Sequence, residues 1–333
     1  MRIAMIMKTK KVTVHIVTYN SAGDIAGCLA AVRQQEYPVA EILVVDNAST
    51  DGTREAVLVF GTEETPEPVP DGDPSSKASN TPVRLISNPV NTGFAPAHNQ
   101  AIAASEADYI LVLNPDVTLE PDYVSRLVAV MEANPRIGSA TGKLLSKADP
   151  NIVDSTGLVM NRMRRAFDRG MGEPAGNWTE SGEVFGVSGA AAMYSRRMIE
   201  EISIEGEFFD GDFFAYKEDV DVAWRARLLG WTAYYDAEAI AYHERGWKTS
   251  GRTTRPLFIR RMSYMNRYKM LAKNEPARSL LTTLLVSLPY ELAVHGYMLL
   301  REPKVLTAWG SFFRQWSVLR RKRKQIQERR KKV

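Results

Sequence analysis

KVTVHIVTYNSAGDIAGCLAAVRQQ, residues 11–35, sets a short, branched apolar run against a helix-like stretch. The run 11–19 reads as a strand and 21–35 as the helix that follows it. EILVVDN (41–47), VRLISN (83–88) and DYILVLNPD (108–116) repeat the strand character, and FAPAHNQAIAASEA (94–107) repeats the helical one. This alternation predicts an α/β fold with a mainly parallel sheet covered by helices on both faces. Ligands of such sheets bind beyond the carboxyl ends of the strands. Here those ends are polar: Thr18-Tyr19-Asn20, Asp46-Asn47, Asn88 and Asn114-Pro115-Asp116. After the first strand stands YNSAGDIAG, not G-x-G-x-x-G, and no G-x-x-x-x-G-K-[ST] occurs. Kinase and dinucleotide-oxidoreductase readings thereby lose their main support.

The 333 residues are 44% hydrophobic and 25% charged, enough for one large domain with an appendage or for two domains. A single cysteine, Cys28, excludes an internal disulfide and fits a reducing compartment, and four histidines leave little room for a His-rich metal site. The net charge of +4 is unevenly placed: the tail 320–333 carries +8, leaving −4 for the rest. Such a tail favours an anionic surface. Its basic residues lack interleaved aromatics, which argues against nucleic acid. The N-terminal MRIAMIMKTKK is too short in its apolar part for a signal peptide. LLTTLLVSLPYELAVHGYMLL (280–300) is long enough to span a bilayer, but Pro289, Glu291 and His295 interrupt it. The reading is an interfacial or partly buried helical pair. Residues 61–82, rich in Pro, Ser and acids, read as a disordered surface loop. The expected division is 1–254 for the α/β domain and 255–333 for a helical, basic, membrane-associating region.

Asp116 ends an apolar strand, where a carboxylate stiffened by Pro115 can hold Mg²⁺ or Mn²⁺ against two phosphates. The alternative is a turn-forming Asn-Pro-Asp. Asp46 can accept from a pyrimidine imide while Tyr19 offers a face to the base; alternatively 46–53 is a turn that caps the next helix. In FFAYKEDVDVAWRARLLGW (213–231), Val220, Ala223, Trp224 and Leu228 fall at helical spacing, so 219–229 predicts an amphipathic helix stopped by Gly230. Glu218, Asp219 and Asp221 then crowd its first turn, where N–H groups and the dipole favour carboxylates. A cap needs only one of them, and Asp221 is placed to pair with Arg225. The aromatics before them, Phe208, Phe209, Phe213, Phe214 and Tyr216, are either core or acceptor-stacking groups.

VTVHIVTYNS, EILVVDNASTDGT, NTGFAPAHNQAI, LVLNPDV, GAAAMYSRR, FFDGDFFAYKEDVDVAWRARLLGW and YHERG follow one another over about residues 11–250. In this order they resemble the family 2 glycosyltransferases of the GT-A fold, and among them the bacterial rhamnosyltransferases. The resemblance implies that Tyr19 and Asp46 bind the pyrimidine of a nucleotide-sugar donor, with Asn47 and Ser49 shaping the loop and Gly93 and Asn99 lining the donor site. It implies that Asp116 is the last carboxylate of an Asp-x-Asp metal element whose first position is here Asn114. His243 then completes the metal or pyrophosphate site, or is structural. Asp219 is the implied base of an inverting transfer, with Glu218 the alternative. Ser188-Gly189-Ala190 lets backbone approach the acceptor, and Phe214 and Tyr216 are the candidates to stack on it. The implied donor is deoxythymidine diphosphate-rhamnose, and the implied acceptor a glycan or polyprenyl-linked glycan at the cytoplasmic face of the membrane.

Two other classes compete. A nucleotidyltransferase on a similar sheet would show a Gly-rich basic loop after the first strand, and YNSAGDIAG has neither Lys nor Arg. A non-catalytic membrane-bound scaffold gives no reason for both Asp116 and Asp219 at element ends.

Overall fold

The structure is a computed structural model that describes residues 9–62, 81–244 and 255–331. Most of the N-terminal segment, residues 63–80 of the expected loop, the end of YHERG and the last two residues of the tail lie outside the described residues.

The first half runs β1 (Val12–Thr18), α1 (Ile25–Arg33), β2 (Val39–Asp46), α2 (Thr53–Thr62), β3 (Val83–Ser87), α3 (Phe94–Ala103) and β4 (Tyr109–Leu113). These strands pair in parallel in the order β3-β2-β1-β4. The order reverses at β1, so the carboxyl ends of β1 and β4 border a crevice. Successive side chains point to opposite faces of the sheet. Leu111 and Leu113 join Ile25, Leu29 and Val32 of α1, while Ile110 and Val112 pack with Ala95 and Ile102 of α3. Burying one such Leu or Ile side chain contributes about 1.5–3 kcal/mol.

The second half adds β5 (Val117–Leu119), α4 (Tyr123–Ala133), β6 (Ile137–Ser146), β7 (Asp149–Ser155) and the hairpin β8 (Leu158–Met160) and β9 (Ala166–Asp168). Then come β10 (Gly182–Val184), β11 (Ala191–Ser195), α5 (Arg196–Ile202), α6 (Glu218–Leu228) and β12 (Thr232–His243). The sheet continues as β4-β11-β6-β12-β10 and becomes mixed, because β11 runs antiparallel to both β4 and β6. The parallel pattern read from the sequence thus holds for the first four strands. Between β6 and β7 only Lys147 and Ala148 intervene, a connection that suits an antiparallel pair alone.

The chain closes with α7 (Leu257–Asn274), α8 (Ala277–Arg301), α9 (Pro303–Leu306), α10 (Ala308–Arg314) and α11 (Trp316–Arg330). The expected helical pair over 280–300 is one helix of 25 residues that continues through Pro289. Leu281, Leu284, Leu285, Leu288, Leu292, Leu299 and Leu300 stay exposed along it. Among the described residues it is the one helix long and apolar enough to cross a membrane. The basic tail is also less free than its charge suggests. Lys322 is buried, with Nζ 2.6 Å from Asp210 Oδ1 and 2.7 Å from Asp212 Oδ2. Arg321 pairs with Glu205, and Arg323 donates to the Ala272 carbonyl. Part of the +8 is therefore engaged within the molecule.

Candidate active site

At the end of β2, Asp46 is fully buried. Its Oδ1 accepts from Thr18 Oγ1 at 3.0 Å and Ser49 Oγ at 2.5 Å, and its Oδ2 accepts from the Ser49 N–H at 3.1 Å. Asp46 and Ser49 thus hold the turn that leads into α2. Tyr19, 54% exposed, stands at the end of β1. An open cavity of about 420 Å³ lies here, lined by Ser49, Thr50, Arg54 and Asn88 among others. Asn47 ties β2 to the loop before α3: it donates to the Gly93 carbonyl at 3.1 Å and accepts from Asn88 Nδ2 and Thr92 Oγ1. Gly93 has φ +93°, and a Cβ there would come within 2.6 Å of Phe214, so only glycine fits. Asn99 departs from its expected place. Its Nδ2 donates to the Phe209 carbonyl at 2.6 Å and its Oδ1 accepts from the Phe209 N–H at 3.0 Å, so it anchors backbone and does not line the cavity beside Ser49.

A second cavity, of about 560 Å³, gathers residues distant in sequence: Asn114, Asp116, Gly189, Tyr216, Glu218, Asp219 and His243 all line it. Asp116 follows β4, and His243 ends β12, whose last residues pair with β5 directly after Asp116. His243 Nε2 lies 3.3 Å from Asp116 Oδ1, and its Nδ1 lies 2.8 Å from Oδ2 of the buried Asp154. Burial acts against the imidazolium, but the two carboxylates outweigh it and push His243 up to about 9. Asp154 belongs to no motif in the sequence; the β6–β7 and β6–β12 pairings together carry it to the histidine. Carboxylate support of this kind orients a histidine that ligates a metal. Among the described residues no three His, Cys, Asp or Glu side chains converge on one point. Asp116 and His243, once the imidazole gives up its proton, are the pair that would hold a hard cation here, which would supply positive charge to bound phosphate. Asn114 lines the same cavity.

The chain enters α6 through a strained loop. Phe214, Tyr216 and Lys217 all have positive φ, at 58°, 71° and 73°. Asn266 of α7 holds it, its Nδ2 lying within 2.9–3.0 Å of the carbonyls of Phe213, Ala215 and Tyr216. No motif marked Asn266. Phe214 does not line the catalytic cavity as expected of an acceptor-stacking group; it packs against Gly93 and, edge-on at 5.2 Å, against Phe258. Phe208, Phe209 and Phe213 are core.

The three acids of α6 part ways. Glu218 is buried, its Oε2 lacks a hydrogen-bond partner among the described residues, and burial together with the Asp219 charge pushes it up to about 8. Asp219 is more open; its Oδ1 accepts from the Val220 N–H at 2.7 Å and its Oδ2 from the Gly189 N–H at 3.4 Å. Burial raises its carboxyl too, and Lys217 opposes the rise. Asp221 faces away from the cavity and bonds Arg225 at 2.9 Å, the pairing expected from their spacing.

An ionisable carboxylate thus opens into the cavity that holds a carboxylate–imidazole pair, beyond the strand ends of an α/β sheet. Residues 13–203 match the sequence family described as glycosyl transferase family 2. The chain belongs to that family. This family 2 transferase also matches, over residues 109–319, the description glycosyl transferase family group 2, which extends into the C-terminal helices. It is 27% identical over 256 residues to the N-acetylglucosaminyl-diphospho-decaprenol L-rhamnosyltransferase of Mycobacterium tuberculosis, covering 70% of this chain and 76% of the relative. To the poly-β-1,6-N-acetyl-D-glucosamine synthase of Staphylococcus epidermidis it is 20% identical, with 68% of this chain matched and 48% of that longer protein. The chain therefore spans about half the length of such synthases. Its fold is similar to that of the Pyrobaculum calidifontis mannosyltransferase PcManGT, solved with GDP-Man and Mn²⁺, with a TM-score of 0.53 at 18% identity, covering 93% of this chain and 76% of that one. The fold is GT-A.

Proposed function

We propose that the protein is an inverting, metal-dependent transferase that moves rhamnose from deoxythymidine diphosphate-rhamnose to a hydroxyl of a glycan or polyprenyl-linked acceptor in cell-surface polysaccharide assembly. The observation that carries this reading is Asp219 opening into one cavity with the Asp116–His243 pair. Asp219 accepts the proton of the acceptor hydroxyl as that oxygen bonds to the anomeric carbon. The bond from that carbon to the donor's diphosphate breaks on the opposite side, which inverts the centre. Asp116 and His243 would hold Mg²⁺ or Mn²⁺, which supplies charge to the departing diphosphate. Ser49 and Asn88 border the space for the base, Tyr19 stands exposed at the end of β1 to offer it a face, and buried Asp46 keeps the Ser49 turn in place. The rhamnosyl choice and the lipid-linked acceptor rest on the mycobacterial relative's name.

The same reading attaches the protein to an anionic cytoplasmic membrane surface through the exposed leucines of α8 and exposed cations such as Arg314, Arg320 and Lys331. The helical region from residue 255 serves that attachment, with the α/β domain before it carrying the chemistry.

Nucleoside diphosphate release from a panel of nucleotide sugars, with Mg²⁺, Mn²⁺ or chelator, tests the reading. Turnover of deoxythymidine diphosphate-rhamnose that chelator abolishes supports it. Turnover of a different donor alone overturns the rhamnosyl choice, and chelator-insensitive turnover overturns the metal.

A further inference from the structure

Beside the catalytic cavity lies a third one, of about 540 Å³, between the β8–β9 hairpin and helices α7 and α8. The two share Ala166, Phe167, Lys217 and Ser263, so they adjoin. Its lining includes Arg164, Arg165, Arg267 and Lys217, four tyrosines, and neither Asp nor Glu. Two of these cations are neutralised from outside the cavity: Arg164 binds Glu275 in bidentate fashion at 2.6 and 3.0 Å, and Arg267 stands 2.6 Å from Glu291.

The other two make no ion pair among the described residues, although the Lys217 charge also acts on Asp219. Among the described residues Arg165 has no carboxylate partner; its guanidinium lies over the rings of Tyr290 at 4.3 Å and Phe167 at 4.8 Å. The Lys217 ammonium donates to the Ala166 carbonyl at 3.3 Å. A half-buried guanidinium held between two rings keeps its planar fork free for a bidentate anion. Tyr290 and Ala293 of α8 line this cavity, while Leu288 and Leu292 of the same helix are exposed. An anion seated here therefore sits next to an apolar surface that an attached hydrocarbon chain can follow.

We infer that this cavity is the subsite for a lipid-linked diphosphate ester, holding the diphosphate of the acceptor on Arg165 and Lys217 while the lipid runs along α8. The inference rests on the transferase reading above and adds to it a place for the acceptor's charged group, on the far side of Lys217 from Asp219. Arg165 is a binding residue here, remote from the reacting atoms.

The test is binding of farnesyl diphosphate to the full chain, saturated with deoxythymidine diphosphate to occupy the donor site. The wild type binds farnesyl diphosphate well above farnesol or inorganic diphosphate. Arg165→Gln weakens it about tenfold or more, the cost of one charged hydrogen-bond partner, and Arg165→Lys weakens it less. Donor hydrolysis by the wild type is measured in parallel, and circular dichroism reports that Arg165→Gln is folded. Equal binding by wild type and Arg165→Gln overturns the assignment, as does no binding by the wild type. Inorganic diphosphate binding as tightly as farnesyl diphosphate overturns the lipid ester. Retained farnesyl diphosphate binding with no donor turned over leaves the subsite standing and removes the catalytic reading instead.

Discussion

Lys273 of α7 and Asp221 of α6 meet at 3.1 Å with neither side chain exposed to solvent. The same ammonium pairs with buried Asp210, which Lys322 of α11 also reaches. Asn274 Nδ2 adds a bond to Asp221 at 2.8 Å. The C-terminal helices are thereby fastened to the helix that carries Glu218 and Asp219. Burial disfavours the Asp210 anion, but the two lysines outweigh it and hold its carboxyl well below the usual range.

Removing one partner of a buried ion pair costs about 3–5 kcal/mol, because the remaining charge stays buried. Lys273→Met therefore lowers the melting temperature of the whole protein strongly, whereas Lys331→Met, at an exposed position, leaves it near the wild type. Thermal denaturation followed by circular dichroism separates the two. Equal melting temperatures would mean that the α6–α7 network contributes little.

Glu218 gives a dependence on pH. Its carboxyl is pushed up to about 8 in the folded protein, against an ordinary glutamate value of 4.5. Between those values the folded state keeps a proton that the unfolded chain has released. Its contribution to stability is thus fully present below the lower value and is lost as pH rises through the upper one. Glu218→Gln, which cannot ionise, should melt higher than wild type at about pH 9 and close to it at about pH 5. A constant difference between the two pH values contradicts the buried, unpartnered carboxyl.

Attachment to a membrane is predicted to depend on α8 more than on charge, because Lys322 and Arg321 are already paired. Flotation with anionic vesicles should be reduced several-fold by Leu285→Asp with Leu292→Asp, since each charge placed in the interface opposes burial of the apolar face. High salt alone should weaken it less. Salt-sensitive flotation unaffected by the leucine changes would restore the tail as the anchor.

The sequence was most legible where pattern and local chemistry coincide. The strand–helix alternation of the first half, the start of α6 and the Asp221–Arg225 pair all depend on neighbours within a few positions. Asp116, Asp219 and His243 carried enough motif to be named, although their meeting in one cavity depends on β12 crossing back beside β6. What escaped was long-range. Asp154 behind His243, Asn266 over the 213–216 carbonyls and the partners of Lys322 become neighbours only through tertiary packing. Asn99 and Phe214 show the converse: motif placed them near the donor and the acceptor, and packing gave them backbone and aromatic partners instead. The continuity of α8 through Pro289, against local propensity, was likewise not legible.

The most direct measurement is sugar transfer by Asp219→Asn and Glu218→Gln beside the wild type, with donor binding followed in each. The account predicts that Asp219→Asn loses transfer by roughly 10²–10⁴-fold while still binding donor, and that Glu218→Gln keeps most of its transfer. Transfer retained by Asp219→Asn and lost by Glu218→Gln would contradict it and move the base one residue back along α6.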